Sequence, residues 1–462
     1  MAKGTKKKKK ELTIEEKLEQ ALVPKEEWPY EVPENWCWTK LGNITTVVGG
    51  GTPSSKVQEY YKDGDIPWIT PADLSGYDSL YISNGSRNIT QLGLEKSSAK
   101  LLPKGTVCLS SRAPIGYTVI AENEISTNQG FKSFIPSPVY LPEYLLWYLK
   151  GNKKLLESRA SGTTFLELSA KKATLIEFPL APLGEQKRIV NRIESLFAKL
   201  DEAKEKAQVV VDGFENRRTM ILHKAFIGEL TMNWRRTHNV CEDSWELLTL
   251  NDIAEYKKGP FGSSITKAMF VPKGENTYKV YEQGNAIRKT LDYGHYYIDE
   301  EKYNELKGFA VQSGDIIISC AGTIGEVYKL PKKSEAGVIN QALMRVRLYP
   351  NTEERFFRYY FGEVIKGDVI DQANGTAIKN IPPFKVLKAM EIRLPSLVEQ
   401  EAIVDLLDEI LRKEEQAQET AEHVVEQIDI IKKSILARAF RGELGTNDSA
   451  DENAEELLKR IL

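Results

Sequence analysis

Apolar side chains recur at steps of four and three along two stretches of this chain. The first runs through Ile189, Ile193, Leu196, Leu200, Ala203, Ala207, Val210 and Phe214, and reaches Ile221 after a polar Arg217. The second runs through Ile403, Leu407, Ile410, Ala417, Ala421, Val424, Ile428, Ile431 and Ile435, with Glu414 as its one charged member. A heptad seam kept for more than four heptads predicts two long helices, each roughly 60 Å at 1.5 Å per residue. So narrow a seam suits a partner helix better than a broad core, although a helix lying on its own domain is the other reading. The alanines in mid-seam let two backbones approach closely. Two equal helices with the same seam pack most simply on each other, antiparallel, as a ruler between globular parts. Ser396-x-x-Glu399 reads as a capping box that starts the second helix, and Gly228 and Gly442 fall where each helix should stop.

The seams belong to a larger repeat. Ile221-Leu-His-Lys-Ala-Phe-Ile-Gly-Glu-Leu230 returns as Ile435-Leu-Ala-Arg-Ala-Phe-Arg-Gly-Glu-Leu444, identical at seven of ten positions and offset by 214. The same offset carries Glu185-Gln186 onto Glu399-Gln400. Upstream, Gly162-Thr163 matches Gly375-Thr376, and Asn128-Gln129 matches Asn340-Gln341. Trp36, Gly105, Ser110 and Gly116 match Trp245, Gly314, Ser319 and Gly325 at an offset of 209. A period near 210 is too long for a solenoid and means two copies of a whole module; its drift reflects small loop insertions.

Each copy opens with a variable globular part. Gly105-Thr-Val-Cys-Leu-Ser-Ser111 and Tyr117-Thr-Val-Ile120 flank Arg112-Ala-Pro-Ile-Gly116 as strand, turn and strand, and Asp315–Cys320 with Glu326–Tyr328 repeats the pattern. Helices are expected near 142–158 and 353–373. The fold class is α+β: two mixed α/β domains joined by two long helices packed as an antiparallel coiled coil, in a pseudo-twofold internal repeat. The expected boundaries are a basic tail and short N-terminal helix at 1–27 and a first globular domain at 28–180. A first spacer helix follows at 181–230, a second globular domain at 231–395, a second spacer helix at 396–445, and a C-terminal tail helix at 446–462. The tails are alike, Ile14–Leu18 and Glu455–Leu458 each opening a short acidic amphipathic segment. They close the repeat, dock a partner or fray as solvated helices.

Composition narrows the chemistry. The chain has 462 residues, 41% of them hydrophobic, and a net charge of −3 that argues against a general nucleic-acid binder. Lys3 and Lys6–Lys10 read as a solvated tail, or else as a site of sequence-independent phosphate binding. Any DNA surface is therefore local. Neither a secretory signal nor a membrane-length apolar run is present, so a cytoplasmic location is expected. Cys37, Cys108, Cys241 and Cys320 are scattered without a CxxC, which excludes a disulfide scaffold and disfavours a zinc site. The chain lacks a nucleotide-binding glycine loop, G-x-S-x-G and H-E-x-x-H, and no histidine recurs in both copies. Asn380-Ile-Pro-Pro-Phe384 has no side-chain acceptor directly before its prolines, unlike the amino-methyltransferase motif, and reads as a turn. No metal, cofactor or catalytic residue is expected, which leaves a scaffold with two related binding heads.

The residues Gly50-Gly-Thr-Pro53, Gly64-Asp-Ile-Pro-Trp68, Ser110-Ser-Arg-Ala-Pro-Ile-Gly116, Asn128-Gln-Gly-Phe131 and Ala225-Phe-x-Gly-Glu-Leu230 carry a resemblance. Together with the duplication, they resemble the specificity subunit of type I restriction–modification systems over nearly the whole chain. The second head departs from the pattern, with Gly259-Pro-Phe-Gly-Ser263 in place of the first loop and Ala321 where Arg112 stands. The resemblance implies a non-catalytic subunit of a type I site-specific deoxyribonuclease and adenine-specific DNA methyltransferase complex. Each globular domain would be a target-recognition domain reading one half of a bipartite, asymmetric site in double-stranded DNA. The helices would fix the gap and dock two methyltransferase subunits, with restriction subunits joining them. S-adenosylmethionine, ATP and magnesium would belong to those partners. The competing readings are a coiled-coil adaptor with two protein-binding heads, and an enzyme with an unrecognised nuclease or methyltransferase site that would modify or cut DNA alone.

Major-groove reading uses Arg or Lys for guanine and Asn or Gln for adenine, with Ser and Thr as general partners. On that basis the loop candidates for DNA contact in the first head are Thr52, Ser54, Ser55, Lys56, Arg112, Gln129 and Lys132. In the second they are Ser263, Ser264, Thr266, Lys267, Arg288 and Lys289. Because Asn128-Gln129 and Asn340-Gln341 occur in both heads, a shared structural or backbone-positioning role is favoured for them over sequence reading. Tyr293, Tyr296 and Tyr297 read as core.

Overall fold

The computed structural model describes residues 12–112, 114–162, 166–241, 244–365 and 381–462. The lysine run, Thr163, Gly375-Thr376 and Asn380 lie outside the described residues. The chain divides into two compact units. One takes the chain up to Ala207 together with His423–Leu462, and the other is Gln208–Glu422. Three helices carry the seams: α1 (Leu183–Asp212), α2 (Phe214–Phe226) and α3 (Leu397–Ala439). At 43 residues, α3 is about 65 Å long and contributes its first part to one unit and its last part to the other.

The helix expected over 181–230 is thus two helices, broken at Gly213. Glycine is a poor helix former, and the Arg217 guanidinium donates to the Val210 carbonyl at 2.9 Å across the break. Within the first unit the pairing is antiparallel. Asp201 of α1 meets Lys432 of α3, and Lys204, further along α1, meets Asp429, earlier on α3, at 3.0 Å. Within the second unit Arg217 pairs with Glu414 at 2.7 Å.

One column of the expected seam stands and the other shifts by a residue. Ile193, Ala207, Leu407, Ala421 and Ile428 are buried, with Leu200, Phe214, Ile221, Glu414 and Ile435 half-buried between them. Ile189 and Ile403 are buried against the heads. By contrast Ala203, Ala417, Val424 and Ile431 are exposed, and their successors Lys204, Gln418, Val425 and Lys432 are half-buried. Leu411 is buried where Ile410 is only half so, and Leu196 and Val210 share their places with Phe197 and Val211. Positions i+3 and i+4 flank the same line on a helix. An alanine has one methyl to bury, whereas the stem of a lysine or glutamine covers more surface and leaves its polar end in water. Lys432 lies over the Phe197 ring at 5.0 Å, and Phe197 packs edge-on to Trp147 at 5.1 Å.

The first head has strands β1 (Cys37–Lys40), β2 (Val47–Gly49), β3 (Ile66–Ile69), β4 (Tyr81–Ile82), β5 (Arg87–Ile89), β6 (Val107–Ser111), β7 (Ile115–Ala121), β8 (Ser126–Thr127), β9 (Phe131–Phe134) and β10 (Glu177–Leu180). They form sheets ordered β2-β9-β6-β7-β4, β5-β3-β8 and β1-β10. The second head has β11 (Glu246–Thr249), β12 (Ala254–Lys258), β13 (Tyr278–Tyr281), β14 (Tyr297–Ile298), β15 (Ala310–Val311), β16 (Ile316–Ser319), β17 (Val327–Lys329), β18 (Gly337–Ile339), β19 (Leu343–Leu348) and β20 (Glu391–Leu394). Its sheets are β12-β19-β16-β17, β14-β13-β18-β15 and β11-β20. Strand for strand the order repeats, down to a parallel pair, β3 with β8 and β13 with β18, inside an otherwise antiparallel sheet. The heads differ at an edge of each, where β4 and β15 have no counterpart strand.

Each head is fastened to its helix by the repeated Glu-Gln pair. Gln186 donates to the carbonyls of Val139 (3.0 Å) and Ala181 (2.8 Å) and accepts from the Leu141 N–H (2.8 Å). Gln400 does the same with Asn351 (2.9 Å), Pro395 (2.8 Å) and Glu353 (2.7 Å). Both side chains are fully buried, where such bonds must be satisfied. The glutamates differ. Glu185 accepts from the Trp36 indole (2.6 Å) and Asn447 (2.7 Å), whereas Glu399 takes Thr231 (2.8 Å) and the Arg235 guanidinium (2.7 Å). The expected capping box is therefore half made: Ser396 Oγ accepts from the Glu399 N–H at 3.4 Å, but the carboxylate turns inward to Arg235. Gly228 and Gly442 have φ of +83° and +73°, the left-handed stop expected after α2 and α3. The tail helices Ile14–Ala21 and Ala454–Lys459 pack into the first unit's core through Ala21, Leu457 and Leu458, with Lys17 Nζ donating to the Leu462 carbonyl at 2.7 Å.

Candidate nucleic-acid interface

In both heads the candidate surface forms where a glycine loop crosses a turn. Asn128 Oδ1 accepts from the Gly130 N–H (2.8 Å), and Asn340 Oδ1 accepts from Ala342 (3.0 Å), so each asparagine caps its own turn. The Ser111 N–H reaches Gly130 O at 2.7 Å, as Cys320 reaches Ala342 O at 2.8 Å. Leu168 then bonds Ser111 O at 2.9 Å, as Ile381 bonds Cys320 O at 3.1 Å. Over this frame lie Gly50 and Gly259. A Cβ on either would stand only 2.0 Å and 1.8 Å from the carbonyl oxygens of Asn128 and Asn340. Only glycine lets the main chains approach this closely.

This main-chain frame fixes the equivalence of the two heads residue by residue. Thr52 corresponds to Phe261, Gln129 to Gln341, Arg112 to Ala321 and Lys132 to Met344. In the first head the Thr52 hydroxyl hydrogen-bonds the exposed Gln129 amide, and Arg112, half-buried, bridges to the Glu167 backbone. Lys132 points inward and is 7% exposed. Its ammonium donates to Ser111 Oγ (3.1 Å) and lies 3.5 Å from Gln129 O and from the Glu167 carboxylate. Burial lowers its pKa against the opposing pull of Glu167. Lys132 was expected at the DNA surface; its charge is instead spent inside the protein. Ser54, Ser55 and Lys56 are exposed on the turn that follows the glycine loop.

The structure separates the second head's candidates into two places. Ser263, Thr266 and Lys267 are exposed and Ser264 half-buried, just after the glycine loop. Beside them Lys257, Lys258, Pro260, Phe261, Phe309, Gln341 and Phe384 line an open groove of about 700 Å³. Arg288 and Lys289 project instead from the loop after Gln283–Ile287, Arg288 over the Tyr293 ring at 4.9 Å. Lys289 faces a separate concavity of about 790 Å³ with Lys273, Lys279, His295 and Lys333. Tyr297 is buried as expected, but Tyr296 is 40% exposed and stacks on Phe270 at 4.2 Å. Sequence reasoning missed Lys257, Lys258 and Phe261. The 209-residue offset that maps Gly50 onto Gly259 was the signal that could have found Phe261.

Among the described residues no group of three or more His, Cys, Asp or Glu is placed to hold a metal ion. The Cys320 thiol is pushed up to about 12 by burial, which makes it a packing group and not a nucleophile. Among the described residues no helix is long and apolar enough to cross a membrane.

The family model for the type I restriction modification DNA specificity domain matches this chain twice, at residues 33–210 and 242–426. The chain belongs to that family. The first match takes one head and nearly all of α1, and the second takes the other head and the first part of α3. The MjaIX specificity subunit of Methanocaldococcus jannaschii is 37% identical over 236 residues, which cover 50% of this chain and 54% of the relative. The chain thus spans about half the length of that relative. The EcoKI specificity subunit of Escherichia coli is 22% identical over 474 residues, covering 93% and 96% of the two chains. The crystal structure of the HsdS subunit from Thermoanaerobacter tengcongensis shares the fold with a TM-score of 0.63. It is 18% identical and covers 90% of this chain and 100% of that one.

Proposed function

We propose that this chain gives a type I restriction–modification complex its DNA sequence specificity and is itself non-catalytic. Each specificity domain reads one half of a bipartite, asymmetric site in double-stranded DNA. The long helices set the gap between the halves, as a dimer's geometry sets half-site spacing in symmetric binders, and dock two modification subunits. Restriction subunits join that core. S-adenosylmethionine, ATP and magnesium bind to those partners, which supply the chemistry in the cytoplasm. The observation that carries this reading is one main-chain frame displaying different side chains in the two heads, Thr52 and Arg112 against Phe261 and Ala321. Exposed Ser54, Ser55, Lys56, Gln129, Ser263, Thr266, Lys267, Arg288 and Lys289 are the polar contacts available to it. A modest net charge fits, because the modification subunits share the phosphate contacts. An adaptor that only joins proteins has less reason to vary only its heads on uniform spacers.

The test is to co-express the chain with its modification subunit and map methylated adenines across the host genome. The outcome expected is a split, asymmetric motif with a constant gap. Removing one heptad from each long helix should shorten that gap and leave both half-site sequences intact. A stable complex that methylates without a bipartite motif would refute the reading, and an unchanged gap would refute the ruler.

A further inference from the structure

Phe261 is 87% exposed, the highest value among the large apolar side chains described. Single exposed apolar residues are common on protein surfaces; what marks this one is its position. It follows Gly259, which is pressed against the Asn340 carbonyl, and precedes Gly262, around which a Cβ would meet nothing within 4 Å. The Ser264 N–H donates to its carbonyl at 2.8 Å, so the main chain beneath the ring is held while the ring stands in water. Beside it lie the exposed residues Lys257, whose ammonium sits 5.1 Å from the Phe309 ring centre, and Lys258, a charge suited to phosphate. Gln341 completes the rim. In the first domain the equivalent Gln129 is engaged by Thr52; with Phe261 in that place, Gln341 makes no hydrogen bond among the described residues and keeps both faces of its amide free.

A phenyl ring cannot donate or accept, so it is blind to the hydrogen-bond pattern of a base pair. In the major groove the feature open to an apolar contact is the C5-methyl group of thymine, and a free glutamine amide matches adenine N6 and N7. We infer that Phe261 determines specificity by packing on a thymine methyl in the half-site of the second domain, with Gln341 on an adenine beside it. This rests on the specificity reading above.

The test uses the complex of full chain and modification subunits on a duplex carrying its mapped site. Phe261→Ala should weaken binding roughly tenfold, the scale of one poorly read base pair, and relax sequence selection in the second half-site alone. Replacing the contacted thymine by uracil removes one methyl and should cost the unaltered complex about fourfold. The same replacement should cost the Phe261→Ala complex nothing, and Phe261→Leu should recover part of the loss. Because the ring is solvent-exposed, truncation leaves the core intact. A second half-site without an A·T pair overturns the inference. So does a Phe261→Ala complex that binds as before, or one that still senses the uracil fully. A complex without any bipartite preference fails earlier and overturns the specificity reading with it.

Discussion

Behind the same turn the first head buries an ammonium and the second a thioether. Lys132 sits among Ser111, Gln129 and Glu167, while at the matching places the second head has Met344 and Cys320, both buried and apolar. Around them the main-chain bonds agree to a few tenths of an ångström: 2.7 Å against 2.8 Å to Ser111 and Cys320, and 2.9 Å against 3.1 Å beyond them. A charge taken from water must be partnered, and Ser111 and Glu167 partner it; a thioether needs only volume. The frame is thus built from backbone, glycine and a capping asparagine, and what fills and decorates it is free to differ. The two helix junctions show the same division. Gln186 and Gln400 repeat bond for bond, whereas Glu185 is held by Trp36 and Asn447 and Glu399 by Arg235.

The junctions give the largest expected effect. The Arg235–Glu399 pair has side chains 9% and 0% exposed. Arg235→Ala leaves a buried carboxylate uncompensated and should cost about 3–5 kcal/mol. In the first unit the Arg188–Asp451 pair is more open, and Arg188→Ala should cost no more than about 1 kcal/mol. Calorimetry of the full chain compares them; equal losses would mean that burial is not what separates the junctions. Next are the glycines. Gly50→Ala and Gly259→Ala force a methyl onto a carbonyl and should each cost about 1–3 kcal/mol. Each should weaken selection at one half-site only, measured by selecting DNA with the complex; loss at both would deny that the heads read independently.

The smallest effect should come from making the first head resemble the second. Lys132→Met exchanges a desolvated ammonium for the residue that the second head uses, and stability at neutral pH should change by no more than about 1 kcal/mol. The sign with pH is a sharper readout. Burial lowers the Lys132 pKa in the folded chain, so between that lowered value and the ordinary lysine value the unfolded chain holds more protons. The unaltered chain should therefore gain stability relative to Lys132→Met as pH rises through the alkaline range towards about 10.4. A flat difference in denaturation midpoint across that range would show that burial does not penalise the ammonium.

Local pattern made much of this fold legible. The strands about Arg112-Ala-Pro fall at Val107–Ser111 and Ile115–Ala121, and the long helices stop at Gly228 and Gly442 because a left-handed turn there needs glycine. The seam was legible to within one residue. What a 3.5-residue repeat leaves undecided is which side of the buried line takes the second column, and here long polar stems displaced the alanines. The candidate surface was less legible. That Gly50 rests on Asn128, or that Lys132 turns inward to Glu167, depends on segments far apart in sequence coming together, and residue type alone gave Lys132 the wrong side.

The close approach of Gly50 and Gly259 to a carbonyl has an evolutionary side. The frame is held by main-chain atoms and by the Asn128 and Asn340 side chains, so a codon change at position 52, 112, 261 or 321 alters what is displayed and leaves those holding groups in place. Most proteins acquire new binding preferences against a stability debt. In this chain the display positions are nearly free to drift, while each head needs a missing methyl group in its glycine loop and an asparagine to cap the turn beneath it.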